Sequence, residues 1–131
     1  MVEVIAFPSA EAVAVGYVKG RLTDRGITAT VATKVPAVRP AQLVKIRRIG
    51  GPTANMVTDA PMLVFDCWAP TEIDAEDLAR VVRAEVLAMP GQSDVCSHVV
   101  EVGGPVNQPD PDSNSPRYVF TVIVHLHGQV I

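Results

Sequence analysis

The chain has 131 residues, 48% of them hydrophobic and 19% charged, a balance that excludes a disordered or low-complexity protein and suits one globular domain over residues 1–131. Aromatic residues are only 5%, so valine and alanine must fill the core, which favours a sheet carrying slim helices. A net charge of −3 argues against a polybasic nucleic-acid binder. No apolar run approaches the ~20 residues of a membrane span.

The charge is unevenly spread. Residues 1–48 hold eight basic groups against three acids, whereas residues 49–131 hold three basic groups against eleven acids. One reading is scatter over a solvated surface. The other is a molecule with a positive and a negative side, whose copies attract head to tail as in closed rings.

In chain order, "MVEVIAFPSAE" has an acid and no basic residue before its apolar run, unlike a secretory signal. A helix is expected from Ser9 as N-cap to about Arg25, stopped by Gly26. Along it Ala12, Gly16 and Gly20 recur every four residues as a smooth strip. Interior glycine costs about 1 kcal/mol against alanine, so two of them imply close approach of a backbone. That backbone belongs either to the domain's own sheet or to a neighbouring copy.

Strands follow at Ile27–Lys34 and Gln42–Ile49, joined by the proline-stiffened "VPAVRPA". A third strand is expected over Met62–Ala69. A second helix runs from the N-cap Thr71 to Met89, with Leu78, Val82, Val86 and Met89 as its buried stripe and a Glu76–Arg80 pair on its wet face. Two more strands, Val95–Val102 and Tyr118–Leu126, complete an α+β domain: two helices packed on a mainly antiparallel sheet. In the last strand Tyr118, Phe120, Val122, Val124 and Leu126 share a core face, and Val119, Thr121, Ile123, His125 and His127 a partly apolar one.

Two stretches echo one another. Gly50-Gly51-Pro52 and Gly103-Gly104-Pro105 are each expected to end a strand and open a long hairpin loop. Both loops carry an asparagine (Asn55, Asn107) and close on a proline (Pro61, Pro116). The second is almost wholly polar, as binding loops are, and is expected to be partly disordered in the isolated protein.

No catalytic constellation is legible. Gly50-Gly51 leads into a loop and not a helix, so it is no phosphate cradle. Asp110 and Asp112 flank Pro111 in a loop, a poor place to hold an acid and a base in register. His98, His125 and His127 lack a fourth ligand at metal spacing, and Cys67 and Cys96 read as reduced core thiols. Catalytic residues, metals and cofactors are therefore expected to be none. Lys45, Arg47 and Arg48 without interleaved aromatics give no site-specific DNA reader.

The series "AVAVGYVKGRL", "VPAVRPAQLVKIRRIGGP", "VTDAPMLVFDCWAPTEIDAEDLARVVRAEV", "VGGPVNQPD" and "SPRYVFTVIVHLHG" resembles the tail terminator proteins of long-tailed (siphovirus-type) phages of actinobacteria. The likeness spans nearly the whole chain; it departs at "VHLHG", where a basic residue would be expected before the glycine. It implies a structural virion protein and not an enzyme: a ring of copies, commonly a hexamer, at the head–tail neck. Such a ring is assembled in the host cytoplasm, caps the tail tube, stops its polymerisation and joins it to the head completion proteins. The implied partners are further copies, the tail tube protein and the head completion or connector protein. Genome DNA passes through without specific binding, and no membrane is involved. Within that picture the axial loop contacts are assigned to Asn55, Asp59, Asn107, Asp110 and Asp112, with Arg117 anchoring the second loop. Ring closure is assigned to Gly16, Gly20, Arg21, Arg25 and Arg39 against Glu72, Glu76 or Glu101 of the neighbour. Another head–tail junction protein, or a dimeric small-ligand-binding domain using the sheet face and both loops as a pocket, are the alternatives.

Overall fold

The structure, a computed structural model, describes residues 2–131. Its elements in chain order are β1 (Ile5–Ala6), α1 (Ala10–Asp24), β2 (Thr30–Ala32), β3 (Leu43–Arg48), β4 (Thr53–Asn55), β5 (Thr58–Asp59), β6 (Met62–Trp68), α2 (Glu72–Leu87), β7 (Cys96–Asn107), β8 (Arg117–His127) and β9 (Gln129–Val130). The fold is α+β, two helices on a mainly antiparallel sheet, as the hydrophobic periodicity predicts.

Both helices begin where their capping residues dictate. The Ser9 and Thr71 hydroxyls accept hydrogen bonds from the backbone N–H groups of Ala12 and Asp74 at 3.2 and 3.1 Å. Helix α1 ends in a Schellman turn: Gly26 takes φ +72°, its N–H reaches the Thr23 carbonyl, and the Ile27 N–H reaches that of Leu22 at 2.9 Å. That turn uses up the start of the strand expected from Ile27, so β2 pairs over three residues only. Helix α2 stops at Leu87 and hands over to a 3₁₀ turn, Met89–Gly91.

The seven-stranded sheet runs β2-β3-β6-β8-β5-β4, with β7 on the other side of β8. β2 and β3 are parallel and every other pair is antiparallel. β8 is the central member: its first seven residues pair β6, its end pairs β5, and β7 lies along its opposite flank. The chain termini form a separate two-stranded ribbon, β1 with β9, too short to carry a sequence signal.

One face of the sheet carries the core. The small residues Ala10 and Ala14, then Val18 and Leu22, let α1 sit close on it, while α2 contributes Leu78, Ala79, Val82 and Val86. Beneath them the cross-strand partners Phe65 and Phe120 stack with ring centroids 4.7 Å apart, worth about 1 kcal/mol beyond their burial. Cys67 and Cys96 are buried, unbridged thiols, as expected. Burial pushes both thiols up from their ordinary pKa.

The Gly-Gly-Pro echo separates into two structures. Gly50 and Gly51 end the β3 ladder with φ +99° and +93°, values that only glycine adopts easily. Gly103-Gly104-Pro105 does not end a strand; it lies inside β7. Two register shifts against β8, between Glu101 and Gly103 and between Gly103 and Val106, absorb the surplus residues. β7 is an edge strand, so Pro105 is tolerated at such an irregularity.

Candidate functional site

The two loops sit at opposite ends of the sheet. Residues 108–116 join β7 to β8 beside Arg117, whereas the β4–β5 hairpin pairs with Leu126 and His127 at the far end of the same strand. The 11 residues of β8 span roughly 35 Å at ~3.3 Å per residue. That separation keeps the two loops of one copy from walling a single small-molecule pocket. They instead form two surfaces facing opposite ways.

The first surface is apolar. Met56 and Val57 project at the tip of the β4–β5 hairpin, and Val4, Val130 and Ile131 of the terminal ribbon are also exposed. Backbone bonds from Gly128 to Val57 (2.8 Å) and from Ile131 to Val4 (2.9 Å) draw hairpin and ribbon to the same end. Asn55 is exposed there, its side-chain oxygen accepting from the Val57 N–H at 3.0 Å. Asp59 is not a surface contact: it is 3% exposed and paired with Arg48 at 3.0 Å. The Arg48 guanidinium also donates to the carbonyls of Gly50 and Gly51 at 3.1 and 3.0 Å. One cation thus pins the hairpin to the glycine turn. Alternation along β3 places Arg48 on the opposite side from Arg47, but nothing local in the sequence indicates its partner.

The second surface is polar, and its loop is folded back on the protein. Asp110 is the organiser, accepting from the Asp112 N–H at 2.9 Å, the Ser113 N–H at 3.4 Å and the Trp68 indole at 3.2 Å. The Asp112 N–H first, then Ser113 and Trp68, outweigh its partial burial and hold its carboxyl below the usual range. Arg39 reaches across to Ser115 Oγ at 2.6 Å. Arg117 donates to the Gln108 carbonyl at 2.9 Å while its guanidinium lies 5.5 Å from the Trp68 ring centroid. Asn107 bonds Glu72 at 3.3 Å, and Asp112 is left exposed.

On the sheet face away from the helices, Asp66 lies opposite Lys45 and Val119 in register and is 6% exposed. Burial raises its pKa, and nearby Arg117, Lys45 and Arg47 only partly oppose that.

The residues assigned to ring closure are spread over three places. Gly16 and Gly20 are exposed, and a Cβ added to either meets nothing within 4 Å, so the chain's own sheet does not explain them. Arg21 and Arg25 have a partner inside the chain that sequence reading passed over: both reach Glu85 Oε2, at 2.8 and 3.3 Å. Glu85 is 4% exposed; burial pushes its carboxyl up, yet the two guanidinium hydrogen bonds prevail and hold it below its ordinary value. It lies on α2 three residues after Val82 and one before Val86, beside the buried stripe, where the sequence alone does not separate a buried acid from a solvated one. Glu101 is paired with Arg83. Arg80 pairs with Asp77 at 3.6 Å, in place of the expected Glu76. Glu76 instead lies near Tyr118, whose hydroxyl pKa is raised by burial and then by this carboxylate.

His98 and His125 meet edge to face at 5.4 Å between centroids. No three His, Cys, Asp or Glu side chains are grouped to hold a metal ion among the described residues. Among the described residues no helix is long and apolar enough to cross a membrane. Compared with known proteins, the chain matches no family model and no curated protein.

Proposed function

We propose that this chain is a structural subunit of a phage tail: a terminator that assembles as a ring at the head–tail neck, caps the tube and stops its growth. A single observation supports this most: one rigid strand, β8, carries two chemically unlike contact surfaces at its opposite ends. A subunit that receives a tube on one side and a head on the other needs that arrangement. The strands then run roughly along the ring axis, and the two ends become its axial faces. The apolar end, with Met56 and Val57, suits a permanent seat, since lasting interfaces are the more hydrophobic ones. The polar end, with Asp112, suits a later docking step.

The test is to mix the purified chain with purified tail tubes and image the ends. Tubes closed by a ring of this protein, and unable to accept added tube subunits, are the expected result. Open tubes that keep elongating in its presence refute the proposal.

A further inference from the structure

The seven-stranded sheet has two long sides, and neither is closed. β2 pairs only with β3, and β7 only with β8. The direction of the free backbone groups follows from the ladder. The Thr30 N–H donates to the Gln42 carbonyl on the β3 side. Since successive residues of a strand point their backbone groups alternately, those of Val31 point away from the sheet. On the other flank, the Val124 N–H donates to the Pro61 carbonyl, away from β7. Val124 is the partner of Val99, so Val99, and Glu101 two residues on, also turn their backbone groups outward.

Natural edge strands are protected by bulges, prolines and charges. In β7 the irregularities fall between Cys96 and His98 and from Glu101 onward, with Pro105 beyond. They leave His98–Glu101 as the longest regular run, comparable in length to the three residues of β2.

We infer that β2 of one copy adds to the His98–Glu101 run of β7 in the next, so that successive subunits join edge to edge into one continuous sheet. This rests on the ring reading above and names its interface. Copies related by rotation about an axis along the strands keep their strand directions. Following the pairings across the sheet, β2 runs with β3 and β8, and β7 runs against them. A neighbour's β2 therefore meets β7 antiparallel, the arrangement in which hydrogen bonds run straight between strands. Two β7 edges meeting through a two-fold axis would instead turn the loop-bearing ends opposite ways. The contact is heterologous, the type that builds rings. Arg21 and Arg25, occupied by Glu85, are not required by it.

Val31→Pro tests the inference, because it removes an outward N–H and leaves the β2–β3 ladder whole. The expected result is a folded protein, unchanged in far-ultraviolet circular dichroism, whose assembly midpoint in sedimentation velocity rises at least about tenfold, the loss of roughly one hydrogen bond per contact. Hydrogen exchange on the unaltered protein provides a second readout that no folding defect can confuse. The amides of Val31, Val99 and Glu101 should exchange fast in dilute monomer and slow by about 100-fold or more in the assembly. Rings that form normally with Val31→Pro, or assembled protein whose three amides stay unprotected, overturn the edge contact and leave the ring standing. A chain that never assembles, with or without tail tubes, overturns both.

Discussion

Gly51→Ala and Gly104→Ala make the same chemical change in two motifs that read alike, and the structure demands opposite results. At Gly51 φ is +93°, so an L side chain costs about 1–3 kcal/mol in backbone strain alone. The new Cβ would also lie 2.8 Å from Met62 N, and closer still to the Ala60 carbonyl oxygen. Both are backbone atoms at the entry to β6, so neither can swing aside, and forcing them apart costs about 1–3 kcal/mol more. The total is roughly 2–6 kcal/mol of stability. At Gly104 φ is not left-handed, and the nearest atoms, from Arg83 and Glu101, are 3.5 Å away in ordinary contact. Alanine there narrows the unfolded ensemble and should change stability by less than about 1 kcal/mol, in the stabilising direction. Urea denaturation gives both numbers, and thermal melts should separate the variants by at least about 6 °C for a domain of this size. Equal losses at the two sites, or a Gly51→Ala protein within about 0.5 kcal/mol of wild type, would refute the distinction between the turn and the bulged strand.

Glu85→Gln should cost about 1–2 kcal/mol at neutral pH, less than a fully buried pair because Arg21 and Arg25 are 32% and 51% exposed. The folded-state pKa of Glu85 lies below its ordinary value, so its contribution is present above that value and is lost as pH falls through the folded pKa; the variant's stability should converge on wild type in acid, read by denaturation from pH 7 to pH 2. Asp110→Ala should release loop 108–116 from Trp68, the only tryptophan, giving red-shifted, more quenchable fluorescence and a loss of about 1–2 kcal/mol; an unchanged spectrum would mean that the loop is not held by this carboxylate.

Features set by neighbours in the chain were legible without coordinates. Ser9 and Thr71 cap their helices, Gly26 ends the first, and the two-residue alternation of β8 puts Phe120, Val122, Val124 and Leu126 inside. Each depends on backbone angles or periodicity within a few residues, which is the range that a linear pattern encodes. The tertiary structure decided the rest. Asp59 and Asp110 look alike as loop acids, yet one is buried under Arg48 and the other ties its loop to Trp68. Glu85 serves two arginines 60 and 64 positions away, and the two Gly-Gly-Pro motifs became a turn and a bulged strand. In each case the outcome depends on which distant strand or helix lies alongside. That is settled by burying the apolar faces together, and so by the whole chain at once.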